Sequence, residues 1–174
     1  MEKYSRLRDL VSELPNLFLI EAPAASDTQL LYAHDASYLL RVTSGKLSDA
    51  EQKEIGFPWS EKMVERSRRS AGATIAAAKS AMQEGISGNL AGGTHHAFTS
   101  RGEGFCLLND IALSANYLLN NLIKKQILVV DLDVHQGNGT ASILQNDSSI
   151  FTLSIHGENN FPFKRIGGRN GRNH

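Results

Sequence analysis

The chain has 174 residues, 41% of them apolar and 21% charged, which fits one ordinary globular domain and excludes a low-complexity or fibrous chain. Lysine plus arginine balances aspartate plus glutamate at 18 each, so no global field draws the chain to nucleic acid or an anionic membrane, and neither is expected as a partner. The single cysteine, Cys106, excludes an internal disulfide, and no apolar run nears the ~18 residues of a membrane span; the expected location is the cytoplasm, or also the nucleus in a eukaryote.

Leu7, Leu10, Val11 and Leu14 recur at helical spacing and predict a first helix stopped by Pro15. Tyr32 to Val42 again carries a helical period. Gly56 to Trp59 make a turn, and Ser60 is the N-cap of an alanine-rich helix from Glu61 to Glu84 that Gly85 ends. Arg66, Arg68 and Arg69 read as its solvated face. GNLAGGTHHAF then predicts a short buried strand running into a glycine-rich loop. Asn109 or Asp110 caps the next helix, with Ile111, Ala115, Leu118 and Leu122 on its apolar face. Ile127 to Leu132 and Ile150 to Ile155 read as strands, separated by a short helix near Thr140 to Leu144. Strands alternating with helices imply a parallel sheet and an α/β sandwich, whose ligand site lies at the carboxyl ends of the strands. The last ten residues, RIGGRNGRNH, read as a flexible tail.

One of those strand ends carries unusual chemistry. In ILVVDLDVHQGNG, Ile127 to Gly139, an apolar run passes into Asp131, Asp133 and His135 at alternate positions. Side chains alternate across a strand, so Val130, Leu132 and Val134 share one face and the three polar groups share the other. Burying carboxylates is costly unless a partner or a metal ion compensates. Carboxylate and imidazole together suit zinc, and one aspartate can orient a histidine from behind. A second cluster, GGTHHAF, sets His95 and His96 after two glycines, and neutral imidazoles there can ligate a metal or move a proton. In RGEGFCLLND, Phe105 reads as core or as the wall of a pocket, with spacing alone favouring core, and Cys106 as a buried small side chain rather than a nucleophile.

Taken together, LAGGTHHAF, RGEGFCLLNDIA, ILVVDLDVHQGNGT and FTLSIHGENNFPF resemble the zinc-dependent histone deacetylase family, in its bacterial and class IV-like branch. The resemblance implies an arginase-like three-layer α/β/α fold with a mostly parallel sheet, and hydrolysis of an acetylated lysine or a small acetylated amine. It implies that Asp133 and His135 are zinc ligands, with iron(II) as the alternative ion in the cell. His95 and His96 correspond to the tandem proton-handling histidines, partnered by Asp131 and by Asn138, where relatives often carry aspartate. An amide partner should leave His96 less basic than a carboxylate would. Gly104, Phe105 and Phe161 correspond to the acyl-lysine channel, and Asp131, Asp133, His135, Ser154 and Ile155 to an inner structural potassium site.

The family's third zinc ligand, an aspartate, and its oxyanion-binding tyrosine both belong downstream of the matched region. The expectation is therefore a partial catalytic domain over 1–163, incomplete at the C-terminal side, and a divergent tail over 164–174. Activity of such a truncated chain is expected to be weak or absent. Two alternatives follow: a non-catalytic deacetylase-like interaction protein, or a haloacid-dehalogenase-like phosphatase whose DxD motif would be the DLD of Asp131 to Asp133.

Overall fold

The computed structural model describes residues 2–121, 126–163, 166 and 171–173, the last three by backbone alone. Seven helices and three strands are found among them. Helices α1 (Glu2–Ser12), α2 (Asp27–Leu30), α3 (Ala36–Thr43), α4 (Asp49–Ile55), α5 (Glu61–Glu84) and α6 (Asp110–Asn121) precede strand β1 (Ile127–Asp131). Helix α7 (Asn138–Leu144) links β1 to β2 (Ile150–Ser154), and β3 (Gly171–Asn173) follows. Strands β1, β2 and β3 lie side by side, all parallel, with Ile127 opposite Ile150 and Asp131 opposite Ser154. No helix among the described residues is long and apolar enough to cross a membrane.

Local chemistry sets the helix ends. Ser60 Oγ accepts the Met63 N–H at 3.2 Å, and Gly85, at φ 85°, closes α5 where the sequence predicts. Ser48 and Glu51 form a reciprocal capping box at the start of α4. The core joins Leu30, Tyr38, Val42, Ile55, Met63, Ile75, Leu113 and Leu144 from the helices with Leu107 of the loop before α6 and Ile150 of β2. Ile127 and Val129 of β1 pack against this core. The other face of the strand, Leu128 and Val130, remains open, with Leu128 62% exposed.

Several expectations need correction. No strand forms over 86–94; side chains hold that segment instead, through Asn89 Nδ2 to Ser70 O (3.0 Å) and to Thr74 Oγ1 (2.8 Å). The buried face of α6 is Ala112, Leu113 and Ala115 with Asp110 and Ser114, while Ile111 and Leu118 are only half-buried and Leu122 lies outside the described residues. Within the stretch expected to be a tail, Gly171–Asn173 pair with β2 on the side away from β1; 164–165, 167–170 and 174 lie outside the described residues.

Nor are the α5 arginines simply a solvated face. Arg68, 19% exposed, donates to Ala25 O at 3.1 Å and pairs with Asp27. Arg69 pairs with Glu65 at 2.7 Å and Glu21 at 2.9 Å. They fasten the 21–27 segment along α5, where the backbone of Ala25 also bonds Arg68 O at 2.9 Å. A methyl group at Gly72 would run into Pro23 O and the Ala24–Ala25 backbone. The substitution Gly72→Ala is therefore expected to lower unfolding free energy by about 1–3 kcal/mol despite alanine's better helix propensity, as read from urea denaturation.

Candidate functional site

The site assembles where β1 ends and two loops meet it. Asp131, at the carboxyl end of β1, turns its side chain inward to His95, with Oδ2 2.6 Å from Nδ1. The chain leaves the strand here, and Asp133 and His135 stay on the same side because each carboxylate accepts an N–H two residues on. Asp133 N donates to Asp131 Oδ1 at 3.0 Å, and His135 N to Asp133 Oδ1 at 2.8 Å. The expected separation of faces holds, but its cause differs. Val130, Leu132 and Val134 are exposed and brace nothing, whereas these Asx turns and the Ile155 N–H to Asp131 O bond (3.0 Å) fix the backbone. Gly137 lacks the side chain that would collide with the Asp131 carboxylate.

The histidine loop is held from below by a residue assigned only as a possible cap. Asn109 caps α6, its Oδ1 accepting Ala112 N at 2.9 Å. Asp110 is buried and collects Thr74 Oγ1 (2.5 Å), Gly93 N (3.2 Å), Thr94 N (2.8 Å) and Thr94 Oγ1 (2.6 Å). These bonds pin the residues just before His95. His34 does the same on the other side, its Nδ1 against Phe98 O at 2.9 Å and its Nε2 accepting the Asn109 N–H at 2.9 Å. Both bonds together require a neutral ring protonated at Nδ1, and burial lowers its pKa to about 4.

Both tandem histidines are buried, with rings 4.1 Å apart between centroids. His96 Nδ1 stands 2.7 Å from Asn138 Oδ1, the amide at the start of α7. Burial lowers the basicity of His96; the Asn138 contact offsets this in part, and the neighbouring His95 and His135 add to the lowering. Behind the amide, Asn138 Nδ2 donates to Glu103 Oε1 at 3.0 Å, and Glu103 Oε2 lies 3.4 Å from Arg101. The sequence reading passed over Glu103 as one letter of a glycine-punctuated loop; a lone acid between two glycines was the available signal.

Glu103 to Cys106 form a tight turn with paired backbone bonds (Glu103 N to Cys106 O 3.1 Å, Cys106 N to Glu103 O 2.9 Å). Both central residues have positive φ, Gly104 at 55° and Phe105 at 65°. Phenylalanine is unusual in that conformation. The turn is locked by Gly104 N to Glu54 O and Phe105 N to Ile55 O, which satisfy the last carbonyls of α4. Phe105 is consequently no core residue: it is 69% exposed, its ring 6.3 Å from that of Phe57. Phe161 sets its edge against His96, centroids 4.9 Å apart, and Gly104 lies between those two rings. Cys106 is buried as expected, its thiol pushed up to about 12 by burial.

Asp133 and His135 are more open. Burial pushes the Asp133 carboxyl up, but the His135 N–H and the charges of His95 and His135 outweigh it, and its pKa falls below the ordinary value. Asp133 Oδ1 and His135 Nδ1 stand 3.2 Å apart. Two donors on a tetrahedral ion with bonds of about 2.0–2.1 Å stand about 3.3 Å apart, so this pair fits two corners of a zinc sphere. Among the described residues, no group of three His, Cys, Asp or Glu side chains is placed to hold a metal ion. Ser154 is opposite Asp131, its Oγ 3.1 Å from His156 Nδ1, and Ile155 adjoins both through its backbone.

Removing the Asp110 carboxylate strands several buried donors. Asp110→Ala is expected to cost about 3 kcal/mol in urea unfolding. For His34 the folded ring binds its proton less readily than the unfolded one. Between pH ~6.5 and ~4 the unfolded chain therefore holds more protons, and stability falls as pH drops through that window by up to about 1.4 kcal/mol per unit. That slope should flatten in His34→Gln, as followed by denaturation midpoints against pH.

The Histone deacetylase domain profile matches residues 1–174. An uncharacterized protein of Picosynechococcus sp. is 45% identical over 132 residues, covering 76% of this chain and 44% of that protein. Histone deacetylase 2 of Arabidopsis thaliana is 32% identical over 152 residues, 83% of this chain and 39% of its own length. A crystal structure of an HDAC homologue complexed with SAHA aligns with a TM-score of 0.82 at 27% identity, over 98% of this chain and 51% of that one. The chain thus spans less than half the length of these curated relatives. The likeness bears out the arginase-like α/β fold and removes the phosphatase alternative. With the profile covering its whole length, the chain belongs to the histone deacetylase family.

Proposed function

We propose that this chain carries the proton-handling half and part of the metal centre of a zinc-dependent hydrolase of acetylated amines. The observation that carries this reading is the pair of buried histidines, each tied through Nδ1 to its own partner, Asp131 at 2.6 Å and Asn138 at 2.7 Å. Tying both Nδ1 atoms leaves both Nε2 atoms for chemistry, and His95 Nε2 lies 3.8 Å from Asp133 Oδ1. Asp133 and His135 would hold the zinc, or iron(II) in the cell. When bound, such an ion polarises an amide carbonyl and makes water acidic near neutral pH.

The chain's own residues do the rest. One histidine of the tandem takes a proton from the attacking water, and the protonated form returns one to the departing amine. His95 is backed by the Asp131 carboxylate, and burial keeps His96 neutral near neutral pH, with Nε2 able to take a proton. Gly104, Phe105 and Phe161 would line the approach for an extended acyl-lysine or small acetylated amine. The HDAC homologue solved with SAHA supports this substrate class by kinship. Asp131, Asp133, His135, Ser154 and Ile155 would surround a structural potassium ion. A cytoplasmic setting accords with the one, unpaired cysteine.

Zinc content and hydrolysis of an acetyl-lysine peptide, measured side by side, test the reading. The expected result is weak zinc uptake, lost in Asp133→Ala and His135→Ala, with weak hydrolysis that falls to background in His95→Ala or His96→Ala. A folded chain that takes up no zinc and releases no acetate would favour a non-catalytic interaction protein, the second reading, whose support is that only two metal donors stand together among the described residues.

A further inference from the structure

The amide of Asn138 can face His96 in two ways. With Oδ1 toward the ring it accepts, and His96 must carry its proton on Nδ1. With Nδ2 toward the ring it donates, and the proton must sit on Nε2, which blocks that nitrogen as a base. The two ends of an amide are nearly alike in shape, so the neighbours on its far side decide. Here the far-side neighbour is Glu103, whose Oε1 is 3.0 Å from Asn138 Nδ2. A carboxylate only accepts, so turning the amide would press oxygen against oxygen.

We propose that Glu103 is a positioning residue: by accepting from Asn138 Nδ2 it holds the amide with Oδ1 on His96, fixing the ring in the Nδ1–H tautomer and keeping Nε2 free. This deepens the proposed function and draws its consequence from that reading. The placement of Glu103 is not accidental to the turn that carries it. Its backbone closes the turn with Cys106, α4 anchors the two residues that follow, and Arg101 sits on the second carboxylate oxygen at 3.4 Å, itself stacked on Phe98 with the guanidinium carbon 3.6 Å from the ring centre. Donation thus converges on the Glu103 carboxylate, from Arg101 on one side and from His96 through Asn138 on the other, and Asn138 is 2% exposed, so no bulk water competes for the amide. The arrangement also answers how an uncharged amide can stand where relatives use aspartate. The fixed acceptor lies one residue further back.

The test is the tautomer itself, read from ring-nitrogen NMR of the metal-free chain at alkaline pH, with the His96 signals identified by their absence in His96→Phe. Wild type is expected to show a protonated Nδ1 and a bare Nε2. Glu103→Leu should lose that pattern, giving a mixture or a majority of Nε2–H, while Glu103→Gln, which can still accept through its own carbonyl, should retain it. Adding Asn138→Asp to Glu103→Leu should restore it, because an aspartate can only accept. A general loss of packing in Glu103→Leu would not be repaired by that second change. A bare Nδ1 in the wild type overturns the proposal without any variant, as does a folded Glu103→Leu with the wild-type tautomer. Hydrolysis plays no part in the readout, so a chain with the expected tautomers that takes up no zinc and releases no acetate would refute the deacetylase reading and leave this one standing.

Discussion

The contact between His95 Nδ1 and Asp131 Oδ2 joins a loop to a strand 36 residues further along the chain, and the placement of the site follows from it. Neither partner could be buried alone, since an unpaired carboxylate at the end of an apolar strand is costly. Once Asp131 is committed to His95, β1 must enter the sheet with its polar side toward the loop, which sets the face of Ile127 and Val129 onto the helical core. Register with β2 then brings Ser154 opposite Asp131 and Ile155 onto its carbonyl. The helix after β1 starts where Thr140 N can donate to His95 O at 3.0 Å, which returns Asn138 to the second histidine.

The two histidines look equivalent in the sequence and are not equivalent in the fold. His95 faces a carboxylate. His96 faces an amide, sits against Phe161 and Gly104, and is discouraged from charging by burial and by the neighbouring His95 and His135. Two rings held through Nδ1 by different partners present their Nε2 atoms to acid–base chemistry in fixed places. The scaffold around them is polar as well as apolar: Asp110, Asn109, His34 and Thr140 are all buried and all bonded, so the loop is held by directional bonds.

Much of this was legible in the letters. Ser60, Gly85 and the alanine run mark α5 to the residue, and the alternation of Asp131, Asp133 and His135 with apolar neighbours correctly separates two faces. What escaped depends on partners distant in sequence. Arg68 and Arg69 read as solvent-facing because nothing near them signals that residues 21–27 lie alongside. Asp110 read as a helix cap because its four donors come from two other segments, α5 and the Gly93–Thr94 loop. The segment before the histidines has strand-like letters but is held by Asn89 and by Asp110, and a strand needs a neighbour as well as a pattern. Spacing favoured core for Phe105, yet a left-handed turn anchored on α4 turns it outward. The roles carried by family resemblance were legible for another reason: whole motifs, rather than single residues, specify them.

The open face of β1 and β2 has a thermodynamic consequence. Leu128 and Val130 face outward beside Phe151, which is exposed in the neighbouring strand. Parallel sheets are ordinarily covered on both sides, and each square ångström of apolar surface removed from water is worth about 25 cal/mol. The folding free energy of this chain is accordingly not a constant of the sequence alone. Whatever layer lies over those side chains binds the folded state and not the unfolded one, so its concentration enters the equilibrium by mass action.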